Sequence, residues 1–239
     1  MEPRPASPKG AAAESGAGPR QRWRLVVARS ADAPRLAGRE LSDAWEVAVE
    51  ATGLPLHRPA GRARTRVAFG APLQLGIAAE RELAELFLTE RVPLWRMREA
   101  IAGRLPEGWS LVDLYDVWVG GPPLAGRVSA ADYRIELEGN AELHEIVEAA
   151  SALLNAAELP RVRAKGSGSI AYDLRPLLVD LAVADGGPTA VVRVRTRIHP
   201  ELGSGRPEEV VAALGDRLGR PLQVLTIARE RLILADELA

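Results

Sequence analysis

Three short stretches of the chain carry positively charged side chains at every second position. They are the 161 trio (Arg161, Arg163 and Lys165), the 193 trio (Arg193, Arg195 and Arg197) and the 62 trio (Arg62, Arg64 and Arg66). Because side chains alternate between the two faces of a β-strand, each trio points to one face, with neighbours ~6.6 Å apart. Arginine can donate two hydrogen bonds to one phosphate, so this spacing predicts a binding surface for RNA or another polyanion.

The same spacing is also typical of an ordinary solvated face of a sheet. Only Lys9 and Lys165 among the 31 basic side chains are lysines, a bias expected from GC-rich coding DNA. Sheets that bind RNA usually expose a pair of aromatic side chains for base stacking, and Tyr172 is the only aromatic residue near the 161 trio. A polyanion surface and a plain solvated face therefore both stay open.

A carboxylate and a further arginine stand close together in the sequence Asp-Leu-Arg-Pro at 173–176. On a strand, Asp173 and Arg175 would share a face, so Arg175 joins the trios as a candidate polyanion contact. Asp173 is a weak candidate for a catalytic acid, because pseudouridine synthases use an aspartate beside an arginine but the rest of their motif is absent here. A structural ion pair or a contact with a partner is the other interpretation.

Composition excludes several kinds of chemistry. The chain has no cysteine, so disulfides, thiol catalysis and cysteine-ligated metals are excluded. His57, His144 and His199 lie far apart in sequence and lack metal-site spacing, so we expect no metal and no cofactor. The net charge is −1, so nucleic-acid binding would need a local patch. No apolar run approaches ~18 residues and no secretory signal is recognisable, so we expect a cytoplasmic protein without a membrane partner.

The order of hydrophobic patterns predicts the fold. A tail at 1–21 is expected to be disordered, because it is rich in Ala, Gly, Pro and Ser without periodicity. On either side of the linker at 120–126, the halves 22–121 and 127–239 each follow the order β-α-β-β-α-β. We therefore predict an α+β protein of tandem ferredoxin-like repeats, with two antiparallel four-stranded sheets and helices on one face. Whether the sheets join edge to edge or pack separately stays open.

Three longer stretches, at 53–88, 111–137 and 170–183, resemble a known family. They are similar to the radical-SAM-linked proteins of bacteria, a domain of unknown function fused to or encoded beside a radical SAM enzyme. The resemblance implies a radical SAM enzyme as partner, and this chain lacks the cysteines to be that enzyme itself. Family members usually carry Ser-His-Leu-Asp at the positions of 37–40 and a Gly-Phe-Asn-Pro loop at those of 60–63. This chain departs from both, whereas Asp-Leu-Arg-Pro at 173–176 is kept.

These observations lead to three hypotheses about function. The first is a non-catalytic accessory protein that works with a radical SAM enzyme and binds RNA or another polyanion through its arginine-rich sheet surface. The second is a protein–protein adaptor without a nucleic-acid role. The third is a cofactor-independent RNA-modifying enzyme in which Asp173 is the working carboxylate.

Overall fold

The computed structural model describes residues 18–238, apart from 37, 140–141 and 166–167. Most of the tail predicted at 1–21 lies outside these described residues. Gln21, the last residue of that tail, begins the first strand.

Six helices and strands form the first half of the chain. They are β1 (Gln21–Arg29), α1 (Arg39–Glu50), β2 (Ala68–Phe69), β3 (Ala78–Leu88), α2 (Leu94–Ile101) and β4 (Trp109–Val117). In β1, Trp23, Leu25 and Val27 point to one face, where they share a core with α1 and α2. Arg22 and Arg24 alternate with them and therefore point to the other face.

Nine further helices and strands follow. They are β5 (Val128–Glu138), α3 (Leu143–Asn155), β6 (Pro160–Lys165), β7 (Gly168–Asp173), β8 (Leu178–Asp185), β9 (Thr189–His199), β10 (Gly203–Ser204), α4 (Pro207–Leu218) and β11 (Val224–Leu234). Local chemistry accounts for both ends of α4. Pro207 occupies its first turn, where a missing N–H costs no helical hydrogen bond, and Gly219 ends it at φ 66°, which favours glycine.

One large mixed sheet spans both halves. Nine strands take part, in the order β10–β9–β5–β11–β3–β1–β4, with β2 pairing β3 and β8 pairing β9. Their pairings are antiparallel except that of β11 with β3, which run parallel through Ala228–Ala78 and Arg229–Ala79. A separate two-stranded sheet consists of β6 and β7.

The prediction of tandem ferredoxin-like repeats with two antiparallel four-stranded sheets is therefore wrong. The sequence at 64–73 predicts the second strand of the first half, but in the structure this strand is only Ala68–Phe69, which pairs with Ala84 and Glu85 of β3. Because β2 is so short, it covers only Ala84 and Glu85 on its edge of β3. The first residues of β3, Ala78 and Ala79, stay free on that edge, and β11 pairs with them. The two halves consequently share one mixed sheet.

A buried ion pair reinforces this junction between β3 and β11. The guanidinium of Arg229 donates two hydrogen bonds to the carboxylate of Glu82, both at 2.5 Å, and others to the carbonyls of Ala71 and Pro72. Both side chains are buried, so each charge depends on the other for compensation. The pair joins strands that lie 147 residues apart in sequence.

The sequence at 170–183 predicts one strand that runs on, bent at Pro176, but in the structure it is divided into two. A 3₁₀ turn, Arg175–Leu177, separates β7 from β8, and only β8 joins the large sheet beside β9. Pro176 has no N–H to donate to a neighbouring strand. The N–H of Arg175 donates to a carboxylate oxygen of Asp173, which closes a turn at this point. The 161 trio therefore belongs to the small β6–β7 sheet, and the 193 trio belongs to the large one.

The second core decides which face of β9 is exposed. Val192 and Val194 share a buried core with α3 and α4. The arginines of the 193 trio alternate with these valines, so they point away from the two helices. We call this side of β5, β9 and β11, opposite α3 and α4, the open face.

Candidate nucleic-acid interface

The 193 trio lies on the open face among carboxylates. Arg195 donates to both oxygens of Asp132, at 2.7 and 3.1 Å, and Arg231 of β11 donates to the same carboxylate at 3.0 Å. Arg193 lies 3.7 Å from a Glu230 oxygen. Arg197 is exposed, and no carboxylate among the described residues lies within 4.0 Å of its guanidinium nitrogens.

A further arginine completes a network of ion pairs on this face. Arg134 of β5 lies opposite Arg193 in the sheet and forms ion pairs with three carboxylates, those of Glu80, Glu136 and Glu230. Most arginines of the open face therefore already have an acidic partner within the chain. A phosphate would have to compete with those carboxylates for the same donors.

The carboxylate of Asp132 is held in its ionised form. Burial alone would raise its pKa, but the hydrogen bonds and charges of Arg195 and Arg231 outweigh burial, so the pKa lies below its usual value. The same pairing raises the pKa of Arg195. Asp132 is therefore a charged partner that Arg195 and Arg231 share at neutral pH.

The 161 trio lies on the opposite side of the large sheet, against α4. Arg161 forms an ion pair with Asp216 of α4 at 2.5 Å. The guanidinium of Arg163 lies over the Tyr172 ring, 4.8 Å from its centre. Lys165 ends β6, and its side chain lies outside the described residues.

The 62 trio precedes β2 and lies near α1. Arg62 donates to Glu46 of α1 at 2.9 Å. Arg64 and Arg66 are exposed, and neither forms an ion pair with a described carboxylate. The three trios therefore occupy three separate places and do not form one continuous surface.

Asp173 and Arg175 bind the backbone rather than each other's side chains. One Asp173 oxygen accepts the N–H groups of Leu159 and Arg175, at 2.7 and 2.9 Å. The Arg175 guanidinium donates to the carbonyls of Leu154 and Leu178. These bonds tie the turn after β7 to the end of α3, which is a structural role for both residues.

The structure also reveals a cleft that the sequence did not predict. It has a volume of 580 Å³ and lies between α1, the 62–69 segment, β3 and the turn at 121–125. We call it the arginine cleft, and its characteristic side chains are Arg22, Arg62, Arg66, Phe69, Glu85 and Phe87. Arg62 and Arg66, which the sequence names as candidate polyanion contacts, therefore both line this cleft.

One wall of the arginine cleft contains Arg22 and Glu85, and a second buried arginine, Arg24, bonds to Glu85 without lining the cleft. Glu85 is 0% exposed and accepts hydrogen bonds from both Arg22 and Arg24. Arg22 also donates to the carbonyls of Gly121 and Pro122, at 2.9 and 2.8 Å. One carboxylate cannot neutralise two guanidinium groups, so this wall carries a net positive charge.

Aromatic side chains surround the same cleft. The guanidinium of Arg22 lies over the Phe87 ring, 5.3 Å from its centre. Trp118, which is 76% exposed, lies against the Gly120–Gly121 backbone next to Arg22. A Cβ atom at Gly120 would come within 2.9 Å of that ring, so a larger residue there would displace the ring. Tyr115, which lies opposite Arg24 in the sheet, is 41% exposed.

Sequence reasoning missed these aromatic residues because it considered only those near the 161 trio. One signal was available: Trp118 stands two positions before the Gly-Gly-Pro-Pro linker, where the strand is ending and its side chain has little to pack against. The position of Phe87 beside Arg22 depends on the pairing of β1 with β3, which no local pattern in the sequence predicts.

An apolar pocket adjoins the arginine cleft. It has a volume of 350 Å³ and shares Ser42, Phe69 and Ala125 with the cleft. The Trp45 ring makes edge contacts with Phe69 and Trp109, at centre distances of 5.4 and 5.2 Å, and so stiffens the wall. A ligand that carries both a charge and an apolar ring would find both environments side by side.

Within the part of the chain that the structure describes, two further kinds of site are absent. No helix there is long and apolar enough to cross a membrane. No three acidic or histidine side chains in these residues group closely enough to hold a metal ion.

One mixed sheet with helices packed on it and a positively charged cleft define a protein of mixed α and β structure with a candidate anion site. The chain belongs to the family described as "Uncharacterized protein conserved in bacteria (DUF2344)", whose model matches residues 22–211. No curated protein matches the chain.

Solved structures with some likeness to the chain are distant. The chain is similar to one described as "Crystal Structure of a Cbf5-Nop10-Gar1 Complex", with 10% identity, 87% of this chain and 49% of that chain covered, and a TM-score of 0.48. A second, "Structure of H/ACA RNP bound to a substrate RNA containing 2'-deoxyuridine", has 12% identity, with 87% of this chain and 47% of that chain covered and a TM-score of 0.47. A third, an unknown protein from Galdieria sulphuraria, has 16% identity, with 85% of this chain and 96% of that chain covered and a TM-score of 0.24. The chain spans about half the length of the first two. With TM-scores below 0.5, these likenesses support neither a fold nor a function for it.

Proposed function

We propose that this chain is a non-catalytic accessory protein that binds single-stranded RNA in the arginine cleft. The observation that supports this most strongly is the wall formed by Arg22, Arg24 and Glu85. A buried excess of positive charge attracts an anion more strongly than an exposed one, because water screens it less. Arg66 at the cleft, without a described acidic partner, adds a second positive charge.

The surrounding aromatic residues favour single-stranded nucleic acid over other anions. Proteins that bind single strands combine a positive groove with aromatic rings on which bases stack. Trp118 offers an exposed ring beside Arg22, and Tyr115 offers another on β4. The open face supports the proposal less well, because its arginines are largely paired with carboxylates.

Titration of a fluorescein-labelled single-stranded RNA of mixed sequence tests this proposal. Anisotropy should rise on addition of the chain, and the affinity should fall linearly with salt on logarithmic axes, because phosphate contacts release counterions. A duplex of the same sequence is the control and should bind more weakly, since its bases cannot stack on Trp118. Equal binding of duplex and single strand, or no binding at low salt, would contradict the proposal.

The partner in this proposal is a radical SAM enzyme, as the family resemblance implies. Co-expression of the tagged chain with a radical SAM enzyme encoded near it tests the association. A stoichiometric complex on gel filtration would support it, and two separate peaks at micromolar concentration would count against it.

A second candidate function is a protein–protein adaptor without a nucleic-acid role. Two large apolar side chains at the start of α2 favour it: Leu94 is 47% exposed and Trp95 is 67% exposed. An exposed apolar pair of this kind often marks a contact with another protein. A Trp95→Ala variant that loses its protein partner while still binding RNA would assign the two contacts to different surfaces.

A further inference from the structure

The groove between the small β6–β7 sheet and α4 contains three buried polar atoms without hydrogen-bond partners. They are Nε of Arg161, the hydroxyl of Tyr172 and one carboxylate oxygen of Glu209, and no described residue offers any of them a partner. The three residues line one groove of 590 Å³. Unsatisfied buried polar groups are costly, so three of them around one groove indicate a ligand with complementary groups.

The fold brings these residues together from two sides. Arg161 and Tyr172 are directly opposite in the antiparallel β6–β7 pairing, so their side chains project from the same face. Glu209 and Ala212 are three positions apart on α4, and Asp216 follows four positions later, so all three lie on one side of the helix. The ion pair between Arg161 and Asp216 holds the small sheet against α4.

The unpartnered atoms include both hydrogen-bond donors and a hydrogen-bond acceptor. Arg161 Nε can only donate a hydrogen bond, and the Tyr172 hydroxyl can donate one, so together they suit a carboxylate. The Glu209 oxygen can only accept when ionised, so it suits an ammonium group. Burial raises the pKa of the Glu209 carboxyl, and the charges of Arg163 and Arg161 oppose that rise.

We propose that this groove, here called the hairpin groove, binds an α-amino acid. Arg161 and Tyr172 hold its carboxylate, Glu209 holds its ammonium group, and the side chain passes Ala212 of α4. Arg163, which stacks on Tyr172, adds positive charge near the carboxylate. This site is distinct from the arginine cleft, and the proposal does not depend on RNA binding.

Calorimetric titration of the full chain with free leucine, methionine and phenylalanine tests the proposal. We expect saturable binding of at least one of them. Two derivatives of the best ligand serve as controls: its amide lacks the carboxylate, and its N-acetyl form lacks the ammonium group. Each should bind roughly 10-fold to 100-fold more weakly, as expected for the loss of a hydrogen bond that involves a charge. No binding of any amino acid at millimolar concentrations would overturn the proposal. Derivatives that both bind as tightly as the free amino acid would overturn it too.

Two conservative variants separate ligand binding from folding. Tyr172→Phe and Glu209→Gln should each weaken binding by roughly 10-fold or more. Tyr172→Phe removes a buried group that has no partner in the chain, so the thermal midpoint without ligand should stay constant or rise. A lowered midpoint with unchanged ligand affinity would contradict the assignment. Glu201→Gln, at an exposed position outside the groove, is the matched control and should leave both quantities unchanged. RNA affinity should be the same in all three variants, so failure here is distinguishable from failure of RNA binding.

Discussion

The arginine cleft and the open face of the same sheet use arginine in different ways. In both, a strand presents arginines at every second position, Arg22 and Arg24 on β1 and the 193 trio on β9. On the open face, four arginines lie within ion-pair distance of four carboxylates, those of Asp132, Glu80, Glu136 and Glu230. At the cleft, Arg62 pairs with Glu46, but Glu85 alone serves two buried arginines and Arg66 has no described acidic partner.

The difference shows what the spacing of arginines can and cannot reveal. Alternation determines the face to which a side chain points, because it is a property of the strand itself. Whether a carboxylate neutralises that side chain depends on the strand next to it and on the register between them. The longest arginine stripe in the sequence is therefore largely neutralised, and the shorter one on β1 keeps a net charge.

Removal of the cleft carboxylate should have the largest effect on stability. Glu85→Gln leaves two buried guanidinium groups without a negative partner, so we expect a loss of about 3–5 kcal/mol in the free energy of unfolding. Urea denaturation measures it. Glu136→Gln on the open face is the matched control and should cost less than about 1 kcal/mol, because its pair with Arg134 is partly exposed. Similar losses for the two variants would remove the contrast between the regions.

Loss of the exposed ring beside the cleft should weaken RNA binding by a smaller amount. Trp118→Ala removes a stacking surface, which is worth about 1–3 kcal/mol per base. Anisotropy titration of the labelled RNA measures the change. Trp95→Ala is the control, because Trp95 is also largely exposed but lies on α2 and does not line the cleft. This variant should keep the RNA affinity unchanged. If the Trp95 variant loses affinity and the Trp118 variant does not, α2 is the binding surface instead.

Acid should abolish the stabilising role of Asp132 on the open face. Its pKa is lower in the folded chain than in the unfolded one, so its contribution is present above the unfolded pKa of about 3.9 and is lost as pH falls through the folded value. Asp132→Asn should therefore cost about 1 kcal/mol at pH 7, a value limited by solvent screening of the exposed Arg231. The two proteins should converge in stability once the pH has fallen below the folded pKa of Asp132. A difference that persists unchanged into acid would show that Asp132 acts through its shape rather than its charge.

Local features of the fold were largely predictable. Apolar side chains recur with helical spacing at 143–155 and so predict a helix there, which the structure confirms as Leu143–Asn155. The facing of the 193 trio also follows from strand alternation alone. The join between β3 and β11 could not be predicted, because it unites Ala78 with Ala228 and depends on an unusually short β2.

The candidate sites were less predictable than the elements that carry them. Arg62 and Arg66 were identified from their spacing, but Arg22, Glu85 and Trp118 come together only through strand pairing and the 120–121 turn. The unpartnered atoms of the hairpin groove likewise depend on how the β6–β7 sheet rests on α4. No local pattern in the sequence encodes that packing.

The salt dependence of RNA binding in two matched variants tests the central claim most directly. One variant carries Arg66→Ala in the cleft, and the other carries Arg195→Ala on the open face, where Asp132 pairs with it. The cleft variant should lose affinity and should flatten the logarithmic salt dependence by roughly 0.7, the contribution of one phosphate contact to a single strand. The open-face variant should keep the slope of the unmodified chain. A flattened slope in the open-face variant, with an unchanged slope in the cleft variant, would contradict the account.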